Sequence, residues 1–150
     1  MNMDDIKIRG QEHIGYLNLI QANIARMAGN SALMKGFAAT MLATMFGLVV
    51  SEHVKWYYIA ILLVPLFAFI RLDIFYLQLE RRYRNLYAFV TENHNYNFKY
   101  SLDLKNPIFK EHKNVIYRKT GFLRTLFSVS VFQFYIWFVA LTIILIIFVT

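Results

Sequence analysis

The sequence contains no cysteine, which excludes thiol redox chemistry and zinc–thiolate sites. Its four histidines lie in separate segments, and none is at a metal-ligand spacing from a carboxylate or from another histidine. The six glycines are spread thinly and form neither a phosphate-binding loop nor a nucleophile elbow. No pair of carboxylates suggests acid–base catalysis. We therefore expect no enzyme activity, no metal site and no cofactor.

Charged residues are also scarce, at 17% of the 150 residues, whereas 58% are apolar. An average soluble domain is about 45–50% apolar, so this chain has more apolar surface than a soluble domain of its size can bury. Three apolar stretches cover residues 32–50, 56–70 and 125–150. A membrane-spanning helix needs about 20 residues, and flanking amphipathic side chains extend the two shorter stretches. The sequence therefore predicts an all-α membrane protein with three transmembrane helices.

Basic residues are distributed unevenly around these stretches. Of the sixteen Lys and Arg residues, four lie in residues 1–35, one in the turn 51–55 and eleven in residues 71–124. Such residues accumulate on the cytosolic side of a membrane. We therefore predict an inner-membrane protein whose N-terminus and segment 71–124 are cytosolic, with the turn 51–55 and the C-terminus outside.

The predicted organisation has four parts: a cytosolic amphipathic helix (1–30), a transmembrane hairpin (31–72), a cytosolic basic segment (73–124) and a third transmembrane helix (125–150). Apolar residues at helical spacing indicate the first helix. A break at residues 29–31 is expected to separate it from the membrane. The first helix can lie on the membrane, pack on the basic segment or associate with other copies of itself.

Two secondary-structure elements are predicted in the basic segment. Helical spacing of apolar residues continues past the membrane, so one helix is expected from about Trp56 to Val90, with a kink at Pro65. Apolar and polar residues then alternate strictly from Tyr96 to Lys105. This period of two predicts a single half-buried strand.

Three charged residues are expected at one depth of the hairpin. Counted from His53 at its tip, Lys35 lies eighteen residues earlier, Arg71 eighteen later and Asp73 twenty later. At about 1.5 Å per helical residue, all three lie near the inner membrane boundary, where charges tend to pair. We predict a Lys35–Asp73 ion pair, with Arg71 reaching the interface or a lipid phosphate. Three independent interfacial charges are the alternative.

The first membrane helix also has a stripe of small or polar residues on one face, and the third contains a single amide. Small residues four apart allow membrane helices to approach closely, so the stripe packs against another helix or faces a wet pore. The same choice applies to the amide. The residues are Gly36, Thr40, Thr44, Gly47 and Ser51 in the stripe, and Gln133 in the third helix.

The cytosolic cations combine with aromatic residues into a candidate ligand site. Attraction to anionic lipid and the topology signal explain part of this charge. The alternative is a nucleotide or oligonucleotide, with its phosphates on the cations and its bases on the aromatic rings. The candidate residues are Arg81, Arg82, Arg84, Lys99, Lys105, Tyr83 and Tyr87.

The chain resembles a family of small bacterial membrane proteins that are similar in architecture to antiphage-defence effectors, such as CBASS-type and SLATT-domain effectors and the Hailong-type channel. It departs from the family pattern at Arg71, next to the Leu-Asp pair. The resemblance is carried by Ile20-Gln21, Ile24, Arg26-Met27-Ala28, Asn30-Ser31, Lys35-Gly36, Leu72-Asp73, Tyr76-Leu77, Glu80-Arg81, Leu86-Tyr87, Phe98, Ser101 and Asp103.

This resemblance implies an oligomeric pore or channel, which a nucleotide-derived signal from a partner nucleotidyltransferase holds or opens. We expect a homo-oligomer, a tetramer or larger. The alternative function is a non-conducting membrane anchor or accessory subunit that recruits a soluble partner through its basic segment.

Overall fold

The computed structural model describes residues 3–50, 56–93, 100–106, 109 and 112–149, and within them the side chains of 10–48, 63–93, 100–106, 109, 112–144 and 147. These residues form an all-α fold, without a strand. The helices are α1 (Met3–Val50), α2 (Trp56–Glu92), α3 (Lys113–Ile116), α4 (Phe122–Leu126) and α5 (Val129–Val149).

The predicted break between the amphipathic helix and the first membrane helix is wrong, because α1 continues through it. Gly29 costs a helix interior only about 1 kcal/mol relative to alanine, which tertiary contacts can offset. Ser31 is buried and donates its hydroxyl to Asp73 of α2 instead of capping a new helix. At 48 residues and about 1.5 Å per residue, α1 is much longer than a bilayer is thick.

The predicted long second helix is confirmed, and α2 ends two residues later than expected, at Glu92. Pro65 lies within it. α1 and α2 form an antiparallel pair, since two buried clusters join the start of one to the end of the other. We call them the Tyr16 cluster (Tyr16, Ile20, Leu86, Phe89, Val90, Leu104, Phe109, Ile116) and the Tyr135 cluster (Ala38, Leu66, Ile74, Val131, Tyr135, Phe138).

The structure describes residues 100–105 of the predicted strand, and these residues form no strand. Residues 96–99 lie outside the described chain. Tyr100 has a positive φ of 46°. The Ser101 hydroxyl accepts from the amide of Asp103, and the Asp103 carboxylate accepts from the amide of Lys105. Such local bonds stabilise turns in place of a strand ladder. The alternation of apolar and polar residues has a different cause. Leu104 belongs to the Tyr16 cluster and Leu102 packs against it, while the polar side chains of Ser101 and Asp103 stabilise the turn.

The third predicted membrane helix begins later than expected. Residues 122–126 form the separate helix α4, and α5 starts at Val129 after a turn. α5 contains 21 residues, none of them charged. Among the described residues, only Gly10–Leu48 passes a length and hydropathy test for a membrane span, while the described apolar part of α5, Val129–Ile144, is shorter.

Candidate anion-binding site

One polar face of α2 holds the backbone turn that leads from α3 to α4. Gln78, Arg81 and Asn85 are three and four residues apart, which places them on the same side of the helix. The Gln78 amide donates to the Thr120 carbonyl at 2.9 Å. The Asn85 amide donates to the carbonyls of Ile116 and Arg118, both at 2.9 Å. The turn is therefore fixed by side chains of another element.

Two further contacts stabilise this turn. Arg81 Nη1 lies 3.4 Å from the Lys119 carbonyl and 3.4 Å from the Thr125 hydroxyl. Lys119 has a φ of 59°, a left-handed conformation that costs free energy for a residue with a Cβ. The Thr120 hydroxyl donates to the Tyr117 carbonyl at 2.8 Å. Bonds to the carbonyls on both sides of Lys119 support its unfavourable conformation.

These contacts shape a cavity of about 500 Å³ between α2 and the start of α5. We call it the cationic pocket. Five of its nine lining residues are basic and none is acidic. Its lining residues are Arg81, Arg84, Asn85, Arg118, Lys119, Arg124, Phe127, Ser128 and Val129.

Only one of these cations forms an ion pair within the described chain. Arg84 Nη2 lies 2.7 Å from Glu80 Oε1, and the Arg84 side chain remains 63% exposed. Arg118, Lys119 and Arg124 are exposed and make no side-chain hydrogen bond or ion pair with the described residues. The pocket therefore carries a local excess of positive charge that the protein leaves largely uncompensated.

The predicted ligand residues divide into two groups. Arg81 and Arg84 line the cationic pocket. Arg82 instead stacks over the Tyr117 ring at 4.6 Å. Lys105 lies in the exposed turn after Tyr100, away from the pocket lining, and Lys99 is outside the described residues.

The structure does not place Tyr83 and Tyr87 as platforms for bases. Both are partly buried against the Tyr16 cluster. The Tyr83 hydroxyl donates to the Leu102 carbonyl at 3.3 Å, and the Tyr87 hydroxyl accepts from Gln21 at 3.1 Å. Both rings therefore pack at the partly buried edge of the Tyr16 cluster.

Sequence reasoning missed Arg118, Lys119 and Arg124 as a site. The available signal was their position in a short basic stretch immediately before the last apolar helix. Their convergence with Arg81 and Arg84 depends on the turn at Lys119, which α2 imposes from more than thirty residues away.

The structure brings the predicted pair Lys35 and Asp73 together in the hairpin. Lys35 Nζ lies 2.7 Å from both carboxylate oxygens, and Asp73 has no exposed surface. Ser31 donates to the same carboxylate and accepts from Lys35 at 3.1 Å. Arg71, at the same depth, is exposed and lies over the Phe122 ring at 4.9 Å.

The described stripe residues do not pack against α2 or α5. Gly36, Thr40, Thr44 and Gly47 are all exposed, whereas the buried residues Ala38 and Met45 lie on the opposite face of α1. The Thr40 and Thr44 hydroxyls each donate to the carbonyl four residues earlier at 3.0 Å. Ser51 is outside the described residues. Packing of the stripe against another helix, the first of the two interpretations, is therefore not observed among the described residues of one protomer.

Gln133 has a similar position in α5. It is exposed, and its amide forms no hydrogen bond with the described residues. The buried residues Val131, Tyr135 and Phe138 lie on the other side of the helix. A hydrogen bond from Gln133 to a neighbouring helix is therefore not made among the described residues of one protomer.

The described residues contain no group of three or more His, Asp or Glu side chains that could hold a metal ion. Comparison of the chain with protein-family models, with curated proteins and with solved structures finds no match.

Proposed function

We propose that the chain is an effector of the bacterial inner membrane that spans the bilayer three times and assembles into an ion-conducting homo-oligomer, a tetramer or larger. The low burial of α1 supports a membrane location. Only 17% of its most apolar stretch is buried, whereas the core helix of a soluble protein is mostly buried. The 21 residues of α5 extend about 31 Å at 1.5 Å per residue, close to the thickness of the hydrocarbon core.

The observation that carries the proposal is that the described stripe of α1 and the amide of α5 point away from the protomer's own core, whereas Thr142 of α5 is buried and donates its hydroxyl to the Phe138 carbonyl. Thr40 and Thr44 of α1 and Gln133 of α5 are exposed, each opposite the buried face of its helix. A polar side chain in a membrane helix usually faces another helix or a water-filled path. Further copies of the chain supply both environments in an oligomer.

The small residues of the stripe allow such an assembly. A Cβ added at Gly36 or Gly47 meets no atom within 4 Å, so these glycines are not required by packing within the protomer. Glycine and threonine at spacings of three and four residues allow close approach between membrane helices. We assign this face of α1 to the contact between copies or to the conducting path.

Gating is assigned to the cytosolic half, where the cationic pocket adjoins the start of α5. An anion that binds Arg81 on α2 and Arg124 on α4 can change how α5 enters the membrane. The resemblance to antiphage-defence effectors supports a nucleotide-type ligand, made by a partner nucleotidyltransferase.

Potassium efflux from liposomes that contain only this protein tests the proposal. We expect efflux from the wild type and a large loss with Gly47→Leu, which fits the isolated protomer but fills the stripe. The control is Phe46→Leu, at an exposed position on a different side of α1. A monomeric protein in detergent without efflux in any nucleotide tested would exclude a channel.

The second candidate function, a non-conducting anchor that recruits a soluble partner, is favoured by exposed apolar side chains in the proposed cytosolic half. Ile14 is 59% exposed and Leu19 54% exposed on α1, and Val115 is 46% exposed on α3. Such side chains are candidates for a protein contact. An anchor predicts that Ile14→Ser and Leu19→Ser abolish recruitment of the partner without any effect on ion flux.

A further inference from the structure

We propose that the cationic pocket is a binding site for a phosphate group, presented at the depth where the cytoplasmic lipid headgroups meet α5. The proposal rests on the proposed function for the orientation of the chain and defines the ligand chemistry of the same gating site. The phosphate belongs to an anionic lipid headgroup or to a soluble phosphate ester.

The positive charge of the cationic pocket favours an anionic ligand. Arg81, Arg84, Arg118, Lys119 and Arg124 surround one cavity, and Glu80 compensates one of them. Like charges that converge without a counter-charge are unfavourable, and their repulsion is relieved when an anion binds between them. Four of the five are arginines, whose planar guanidinium groups match the oxygens of a phosphate in a bidentate arrangement.

The protein holds the side chains of Arg81 and Arg84 and the backbone of Arg118 in place before a ligand binds. Both contacts of Arg81 use Nη1, and its other guanidinium nitrogens form no hydrogen bond with the described residues. Asn85 fixes the carbonyl of Arg118, and Glu80 fixes the orientation of Arg84. Binding then requires little ordering of Arg81 and Arg84, which favours affinity.

An unsatisfied hydroxyl lies at the start of α5, beside the cationic pocket. The Ser128 hydroxyl is inaccessible to solvent and has no hydrogen-bond partner among the described residues. It immediately precedes Val129, where the 21-residue helix α5 begins. Helix N-termini attract anions through their free amides and the positive end of the helix dipole. Ser128 lines the pocket, and its hydroxyl can donate to an anion there once the side chain turns towards the cavity.

The size and the position of the cationic pocket suit a ligand larger than one phosphate group. A volume of about 500 Å³ lies within the range of about 300–1,000 Å³ usual for small-molecule sites and exceeds what one phosphate group fills. Phe127 and Val129 give the pocket an apolar wall and are 66% and 77% exposed. An apolar wall beside cations at the start of a membrane helix suits a phosphate attached to a larger, partly apolar group.

Binding to the full-length protein in phosphatidylcholine nanodiscs tests the proposal in two arms. The first arm titrates inorganic pyrophosphate and ATP, followed by calorimetry. The second arm replaces one tenth of the lipid with phosphatidic acid or phosphatidylserine and measures lipid retention by native mass spectrometry. The variant is Arg118→Gln/Arg124→Gln, and the matched control is Arg26→Gln/Lys105→Gln, which removes two exposed cations away from the pocket.

We expect saturable binding in at least one arm, weakened about tenfold or more in the pocket variant and less than about twofold in the control. Binding of pyrophosphate or ATP identifies a soluble ligand, and preferential retention of phosphatidic acid identifies a lipid. Absence of binding in both arms, or an equal loss in the control variant, overturns the site. Binding without any effect of the ligand on ion flux leaves the site established and contradicts the proposed gating.

Discussion

Lys35 of α1 and Asp73 of α2 form a buried ion pair, with Lys35 Nζ 2.7 Å from Asp73 Oδ2 and the carboxylate fully covered. The pair lies beside the Tyr135 cluster, since Ala38 is three residues from Lys35 and Ile74 directly follows Asp73. Ser31 is the third member of the network. The pair therefore fixes the register of α1 against α2.

Removal of one partner of this pair is expected to destabilise the fold strongly. Lys35→Met leaves the buried carboxylate without its cation, which typically costs about 3–5 kcal/mol. The double variant Lys35→Met/Asp73→Leu should be more stable than Lys35→Met, because no buried charge remains. The midpoint of thermal unfolding in detergent measures the stability of both variants. Arg71→Gln, at the same depth but exposed, is the control and should change stability by less than about 1 kcal/mol.

Asn85→Ala is expected to loosen the turn that carries Arg118 and Lys119. It removes both amide hydrogen bonds to the turn, each worth about 0.5–1.5 kcal/mol. Hydrogen exchange should accelerate in residues 113–120 and remain unchanged in the first half of α1. Thr91→Ala, which removes a hydroxyl bond to the Tyr87 carbonyl within α2, should leave exchange in the turn as in the wild type. Equal exchange in the wild type and Asn85→Ala would show that α2 does not hold the turn.

Tyr16 is expected to make the fold sensitive to alkaline pH. Burial, with a smaller contribution from Tyr83, raises the pKa of Tyr16 from 10.0 to about 12, and its hydroxyl donates to the Ser101 carbonyl at 2.6 Å. Because the pKa of Tyr16 is raised in the folded state, the neutral hydroxyl stabilises the fold. This contribution is fully present below pH 10 and is lost as pH rises towards 12. Chemical denaturation should show the wild type more stable than Tyr16→Phe at pH 9, with a smaller difference at pH 11.5. A difference independent of pH over this window would contradict the assignment.

The absence of cysteine makes the proposed topology directly measurable. In intact spheroplasts, an impermeant maleimide should label His53→Cys at once, and should label Lys105→Cys only after the membrane is opened. The reverse pattern would invert the orientation, and immediate labelling at both positions would contradict a membrane hairpin.

Parts of the fold could be predicted from sequence because they depend on local spacing. The helical period across residues 72–90 predicted the length of α2, and equal depth in a hairpin predicted that Lys35 would meet Asp73. The predicted break at residues 29–31 was wrong because Ser31 bonds to Asp73, a contact 42 residues away. The predicted strand was wrong because Ser101 and Asp103 satisfy their own backbone.

The cationic pocket was predictable only in part, because its geometry depends on contacts between residues far apart in the sequence. Arg81 and Arg84 were identified from the density of charge on one helix. Arg118, Lys119 and Arg124 join them through a left-handed residue and long-range bonds from α2, which no local pattern encodes. Tyr83 and Tyr87 were candidates because they lie among the cations in the sequence, yet the structure packs both against the Tyr16 cluster.

The central claim is that the outward-facing polar side chains line a conducting path in an oligomer, and Gln133 tests it most directly. The measurement is the reversal potential in planar bilayers with asymmetric potassium chloride, for the wild type and Gln133→Glu. We predict discrete currents for both, with the reversal potential of Gln133→Glu shifted towards that of potassium, because a carboxylate in the path favours cations. The absence of currents from the wild type, or identical reversal potentials for the two proteins, would contradict the claim.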